Sequence, residues 1–339
     1  MKRQLLGVAA ILLSISTYAQ DNPLWMRYCA ISPDGTTIAF TYKGDIYTVP
    51  STGGRASQIT TNPAHDTKPI WSPDGKKIAF ASDRMGSMDI FEVNKEGGIP
   101  KRLTTHSGNE TPVAYKDAGH ILFLANIMPT AEDAQFPSGQ FQQVYEVNTE
   151  GGRPVLFSSM PMEDISINHT GNTLLYHDKK GYEDPWRKHH TSSITRDIWL
   201  CSLNGNRTFR KQTTFNGEDR TPVWASDDKS FYYLSEEKGS FNIFKRDIDG
   251  NTSKQITNHT KHPVRFLSAA SNGTLCYGYD GEIYTVKEGA IPQKVQISIV
   301  TDKNDKDLIR QIKRSGATEI SLSPDAKEIA FVLLSLIHI

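Results

Sequence analysis

The chain has 339 residues, enough for one large domain or two medium ones. Its 38 Lys and Arg balance 38 Asp and Glu, so it lacks the basic excess that a general nucleic-acid binder carries. Cys29, Cys201 and Cys276 are too few and too widely spaced for a disulfide scaffold or a zinc site. They read as three isolated, mostly buried thiols.

The start of the chain reads as an export signal over residues 1–19. Lys2 and Arg3 supply the positive end, residues 5–15 form an apolar run, and Thr17 and Ala19 put small residues at the cleavage positions. The run is short for a membrane span. The mature chain is therefore expected in the periplasm or outside the cell, with no membrane span once the signal is cleaved.

Repeats organise residues 22–299. In the clearest copy, Thr67-Lys-Pro-Ile-Trp71 is a short strand and Ser72-Pro-Asp-Gly75 a tight turn. Lys77-Ile-Ala-Phe-Ala81, Asp89-Ile-Phe-Glu-Val93 and Pro100-Lys-Arg-Leu-Thr104 are three further strands. Four antiparallel strands at this repeat length make one propeller blade. The third strand recurs as Asp45-Ile-Tyr, Asp89-Ile-Phe, Gln143-Val-Tyr, Asp197-Ile-Trp, Asn242-Ile-Phe and Glu282-Ile-Tyr. Its aliphatic and aromatic residues are expected to face opposite neighbouring blades. The fold class predicted is all-β, a six-bladed β-propeller of four-stranded antiparallel blades. The ring is expected to close by blade packing, without a shared blade. Trp71 and Trp224 read as core residues, and the recurring Gly-Gly pairs at 53–54, 97–98 and 151–152 as hairpin turns.

Residues 300–317 are charge-dense and read as a linker. Residues 318–333 match the first two strands of another blade, the truncated start of a second propeller. Residues 334–339, Leu-Ser-Leu-Ile-His-Ile, depart from the blade pattern and read as a non-native tail.

No nucleophile elbow, metalloprotease helix or phosphate-binding glycine loop is present; no catalytic residue, metal or cofactor is expected. Two insertions, at 126–142 and 178–196, fall between strands two and three of the third and fourth blades. That places both on one face of the disc. The second carries Trp186, Arg187, Lys188, His189, His190 and Arg196, candidates for gripping a peptide carboxylate or docking an acidic surface. Asp83, Arg84, Glu236, Glu237 and Lys238 read as loop charges and interblade ion pairs of little energetic weight.

The Ser-Pro-Asp-Gly-x-x-Ile-Ala-Phe repeat resembles the WD40-like repeats of TolB and of the tricorn-type proteases. The order of signal, six blades, linker and new repeat is similar to the opening of an exported tricorn homologue. The stretch 184–199, with Trp186 and Thr195-Arg-Asp-Ile-Trp199, is similar to that family's fourth-blade insertion. The resemblance implies the non-catalytic N-terminal propeller of a multidomain serine peptidase. Its partners would be peptides and the downstream domains of the same polypeptide, with a homo-oligomer possible. The family's arginine pair near the start of the third blade has no counterpart in Asn109-Glu-Thr-Pro112. Two alternatives stay open: a freestanding TolB-like interaction module, and a propeller attached to a prolyl-oligopeptidase-like hydrolase.

Overall fold

The computed structural model describes residues 23–127, 141–182, 192–300, 316–333 and 336–338. It divides into two units at residues 299 and 300. The first unit is a six-bladed propeller. Its blades are built from consecutive strands: Arg27–Ile31, Thr37–Tyr42, Asp45–Pro50 and Ser57–Gln58 in blade 1; Asp66–Trp71, Lys77–Ser82, Asp89–Asn94 and Lys101–Arg102 in blade 2; Thr111–Asp117, His120–Ala125, Gln143–Asn148 and Val155–Ser158 in blade 3. Blade 4 is Met162–Ile167, Thr173–Asp178, Ile198–Ser202 and Thr208–Lys211. Blade 5 is Asp219–Trp224, Ser230–Ser235, Asn242–Asp247 and Ser253–Gln255. Blade 6 is Arg265–Ala269, Leu275–Tyr279, Glu282–Val286 and Gln293–Lys294.

The core lies between blades, in six clusters that correspond to six seams. This explains why second strands such as Ile78-Ala79-Phe80 and Ile121-Leu122-Phe123 are buried without alternation. A sheet covered on both faces has no solvent side to leave polar. Within each seam the aliphatic residues of one blade meet the aromatics of the next. Ala39 and Ile46 of blade 1, for example, pack on Phe80 and Phe91 of blade 2. Cross-strand partners inside a blade add ring contacts, as at Phe40–Tyr47 and Phe123–Tyr145, both 5.8 Å apart. Trp71 and Trp224 are buried as expected, and each also ties two blades. Their indole N–H groups donate to the Ala30 and Ser166 carbonyls at 2.8 and 3.0 Å.

The turn chemistry survives where its sequence does not. In Ser72-Pro-Asp-Gly75 the Ser72 hydroxyl donates to Asp74 (2.7 Å) and accepts the Lys77 N–H (2.9 Å). In the fourth blade Asn168 replaces that serine, and its Oδ1 accepts the Asn172 and Thr173 N–H groups at 3.1 and 3.0 Å. A second recurring device joins strands three and four. Thr60, Thr104, Thr213 and Thr257 accept the N–H of Ile46, Ile90, Ile198 and Ile243 at 2.9–3.0 Å. Ile243 is fully buried, so an unmet N–H there is expensive. Thr257→Val is expected to lower the unfolding free energy by about 1–3 kcal/mol. A urea midpoint unchanged from wild type would remove this clamp from the account.

Among the described residues no blade is shared between the first and last segments of the propeller, as expected, but closure does not rest on packing alone. The Met26 N–H donates to the Gly281 carbonyl of blade 6 at 3.1 Å. Beyond blade 6, Ile297–Ser298 runs parallel to Gly54–Arg55 of blade 1. The Gly54 and Ala56 N–H groups donate to the Gln296 and Ser298 carbonyls at 2.8 and 2.9 Å. Gly53 is required here: a Cβ would lie 2.6 Å from the Gln296 carbonyl oxygen.

In the second unit, Ala317–Leu322, Ile329–Leu333 and Leu336–His338 form a three-stranded antiparallel sheet. Its turn repeats the blade chemistry, with the Ser323 hydroxyl donating to Asp325 at 2.6 Å and accepting the Glu328 N–H at 3.0 Å. No helix among the described residues is long and apolar enough to cross a membrane.

Candidate functional site

The first strands of the six blades touch one another in cyclic order and so surround the central channel. Each carries a bulge near its start. In five of them the bulged residue has a left-handed backbone: Tyr28 (φ 52°), Lys68 (54°), Asp164 (49°), Thr221 (51°) and Phe266 (57°). None is glycine, and each such conformation costs roughly 1–2 kcal/mol. The flanking ladders enforce it, and a bulge re-aims the side chain it carries. Blade 3 has its bulge between Pro112 and Ala114.

The ring is chemically lopsided. Blades 6, 1 and 2 contribute Phe266, Tyr28 and Lys68. The two rings lie 4.8 Å apart, and the ammonium is 5.7 Å from the Tyr28 ring centre. Blades 4 and 5 contribute Asp164 and Thr221, joined by a 2.6 Å hydrogen bond from the threonine hydroxyl. Burial lowers the Lys68 pKa, while the Asp164 and Glu163 charges of blade 4 oppose that shift. Burial raises the Tyr28 hydroxyl's pKa. The channel thus offers an aromatic, cationic side and an acidic, hydroxylic side.

Beside this ring, blades 4 and 5 share a buried charge network. Arg196 lies 2.6 Å from Glu218 and 3.5 Å from Glu163. Glu163 also meets His177 at 3.2 Å and Lys179 at 2.8 Å. Against the upward push of burial, His177 and Lys179 hold the Glu163 carboxyl far below its usual range. Burial lowers Arg220 to about 10, with Glu218 opposing, and its guanidinium sits 4.1 Å from the Phe241 ring centre. The network anchors the stem of the second insertion. Asp178 accepts the Asp197 N–H (2.8 Å) and the Trp199 indole N–H (3.1 Å), and Lys180 pairs with Asp197.

Arg196, read from the sequence as a peptide- or domain-binding candidate, is only 5% exposed and is held in this network. Trp186, Arg187, Lys188, His189 and His190 lie outside the described residues. The two insertions do fall between second and third strands, on the face that also carries the blade-to-blade connectors. Arg84 departs from its reading as a loop charge. It makes a buried pair within blade 2, donating to both oxygens of Asp66 at 3.0 and 2.8 Å, and stacks 4.6 Å from the Phe91 ring centre. Glu236 is likewise buried, accepting the Glu218 N–H at 3.0 Å. Glu237 and Lys238 remain exposed loop charges, as expected.

At the opposite mouth the turns between strands one and two crowd together. The Ser271 N–H of blade 6 donates to the Pro33 carbonyl of blade 1 at 2.9 Å. His169 of blade 4 holds Asp228 of blade 5 through Nδ1 at 2.7 Å and its own N–H at 3.1 Å. Its Nε2 reaches the Ser271 hydroxyl at 3.5 Å. The order Asp–His–Ser is that of a nucleophile relay. However, the serine contact is at the limit of a hydrogen bond, and the Ser271 N–H is committed to Pro33, so it cannot stabilise an oxyanion. The arrangement is a lock between three blades. Among the described residues, no three His, Cys, Asp or Glu side chains converge as a metal set.

The channel ring was missed at the level of sequence because its residues share no chemistry. One signal was present: Pro69 and Pro222 directly follow Lys68 and Thr221. A proline inside an apparent inner strand marks a bulge, because it cannot serve the ladder.

Residues 23–290 match the model of the tricorn protease N-terminal beta propeller domain. Over 281 residues the chain is 25% identical to "Tricorn protease homolog 1" of Streptomyces coelicolor, covering 82% of this chain and 25% of that protein. It is 27% identical over 295 residues to "Tricorn protease homolog" of Saccharolobus solfataricus, covering 83% and 26%. The chain therefore spans about a quarter of these relatives' length. Among solved structures it is similar to "Crystal structure of the tricorn protease", with a TM-score of 0.72 at 22% identity over 91% of this chain and 29% of that one. TolB from Acinetobacter baumannii shares the fold at a TM-score of 0.57 and 15% identity, over 78% of this chain and 61% of that one.

Proposed function

Since the chain belongs to the family of tricorn protease N-terminal β-propellers, we propose that its channel binds and orients peptides for catalytic domains that follow in a longer serine peptidase. The observation that carries this reading is the bulge ring. Six strands give up regular pairing at the same place, and five of them present Lys68, Tyr28, Phe266, Asp164 and Thr221 around one axis. Strain repeated at one level of a channel is most simply explained by what the channel holds. An extended peptide offers carbonyls, N–H groups and a terminal carboxylate, which these side chains can match.

The two insertions on the connector face would guide peptide or dock later domains, with Trp186, Arg187, Lys188, His189 and His190 as contact residues. The repeat in residues 317–333 supports a second propeller after the first, which favours this reading over a freestanding module. The basic and apolar start of the chain supports export to the periplasm or beyond.

The test measures peptide binding by the chain alone, using fluorescence anisotropy of labelled peptides of eight to twelve residues. Lys68→Ala is expected to weaken binding by about tenfold to a hundredfold, the range of a lost charged hydrogen bond, with the melting temperature held within a few degrees. No peptide should be cleaved, and a serine-directed fluorophosphonate should leave Ser271 unlabelled. Equal affinity in wild type, Lys68→Ala and Asp164→Ala would sink the proposal, and so would inhibitor-sensitive cleavage by the chain alone.

A further inference from the structure

The seam that closes the ring brings together two of the three cysteines. Cys29 lies in the inner strand of blade 1 and Cys276 in the second strand of blade 6. Both belong to the apolar cluster that holds blade 6 against blade 1, with 4% and 0% exposure. Their placement is fixed from several sides. Ser268 sits opposite Cys276 in the blade 6 ladder. Its hydroxyl lies 3.4 Å from the Cys29 carbonyl and 3.5 Å from the Cys276 carbonyl, and accepts the Ile31 N–H at 3.0 Å. The Cys29 thiol reaches the Phe266 carbonyl at 3.4 Å, and Cys29 lies near enough to the Cys276 thiol to add to the upward shift that burial causes there. The sequence reading of three isolated thiols therefore holds only for Cys201, which is buried in the seam between blades 3 and 4.

We propose that Cys29 and Cys276 are a disulfide site that covalently closes the propeller. The oxidant is a disulfide, either oxidised glutathione or the disulfide of a thiol oxidase. One cysteine loses its proton and attacks a sulfur of the oxidant, expelling one thiolate and forming a mixed disulfide. The second cysteine, also deprotonated, attacks the protein sulfur and expels the other thiolate. Two protein thiols lose two electrons and two protons; the oxidant becomes two thiols. Burial pushes the Cys276 thiol well above its ordinary range, and the thiolate is the attacking form. Oxidation therefore belongs to the open ring, before blade 6 docks on blade 1 or during a transient opening of that seam. Once made, the bond joins residues near the two ends of the propeller. A cross-link that closes a long loop restricts the unfolded chain most.

The test compares the reduced chain with the chain refolded from denaturant in a glutathione redox buffer. Each sample is denatured without reductant and treated with a maleimide. The reduced chain should take three labels. The oxidised chain should take one label, on Cys201, and weigh two hydrogens less. A tryptic peptide linking Cys29 to Cys276 should identify the bond. Cys201→Ser should keep the mass loss, and Cys29→Ala/Cys276→Ala should abolish it. The oxidised chain should melt roughly 5–10 °C above the reduced one, a difference absent from the double variant. The labelling and mass measurements on wild type stand even if a variant fails to fold. Three labels after oxidative refolding, glutathione adducts without a link, a link to Cys201, or equal melting of the linked and unlinked chains would each overturn the proposal.

Discussion

Arg196→Met is expected to destabilise the propeller by about 3–5 kcal/mol, the cost of leaving a buried charge without its partner. The side chain is 5% exposed and its principal partner, Glu218, 1% exposed. Removing the guanidinium leaves the Glu218 carboxylate with Arg220 at 3.6 Å. Burial lowers the Arg220 pKa to about 10, which still leaves it charged at neutral pH, but at 3.6 Å it is a longer contact than the one lost. Glu163 would keep His177 and Lys179, so its share of the loss should be smaller. The double variant Arg196→Met/Glu218→Gln should recover only part of the deficit, because it removes the carboxylate that lost Arg196 but also takes Glu218 from the buried Arg220. Lys101→Met provides the control. It removes an ion pair of similar length to Glu150, but the two side chains are 45% and 82% exposed, and such pairs contribute about 0–1 kcal/mol. Urea midpoints at constant slope decide between these cases. A loss below 1 kcal/mol for Arg196→Met would mean that water reaches the network, and Arg196 would again be a candidate for binding.

That contrast shows where the sequence is legible and where it is not. The blades could be read because each is a local unit: a Ser-Pro-Asp-Gly turn, an Asp-Ile-Phe strand and a short return, all within one repeat. Hydrophobic period and turn chemistry act over a few residues, and a single chain records them directly. The loss of the turn motif in the fourth blade did not matter, since Asn168 supplies the acceptors that serine supplies elsewhere. Arg196 behaves differently. Nothing near it in sequence distinguishes a loop cation from a buried one; its partner Glu218 starts the next blade. The same holds for Arg84, whose partner Asp66 lies across the blade 2 ladder. The channel ring combines both difficulties. Its residues come from different blades and share only a backbone conformation, betrayed at Lys68 and Thr221 by the prolines that follow. The Cys29–Cys276 contact depends on ring closure, which joins positions far apart in the chain and which no local pattern encodes.

The second large effect expected is a loss of stability as pH rises. Among the described residues, Asp89 and three other carboxyls sit above their ordinary range. Burial raises Asp45 to about 6, Glu110 to about 7 and Asp219 to about 7. Each binds its proton more tightly folded than unfolded. Their contribution is therefore fully present below the unfolded pKa values, near 4, and is lost as pH rises through 6 to 7. Glu163 acts in the opposite sense: its carboxyl is depressed, so its contribution is present above the unfolded value and is lost in acid. The propeller should be most stable between these regimes, near pH 5, and weaker at pH 8. Glu110 isolates the effect. It has no exposure, and its pKa is raised first by burial and further by Asp89, with Thr104 and Arg102 opposing. Glu110→Gln removes the ionisation and keeps the shape. Relative to wild type, the variant should gain less than about 1 kcal/mol at pH 5 and roughly 3 kcal/mol at pH 8, the size of a shift from 4.5 to about 7. Urea unfolding of both proteins at pH 5, 6.5 and 8 gives the two curves. If they run parallel across that range, Glu110 is already ionised in the folded protein, and the alkaline weakness must come from elsewhere.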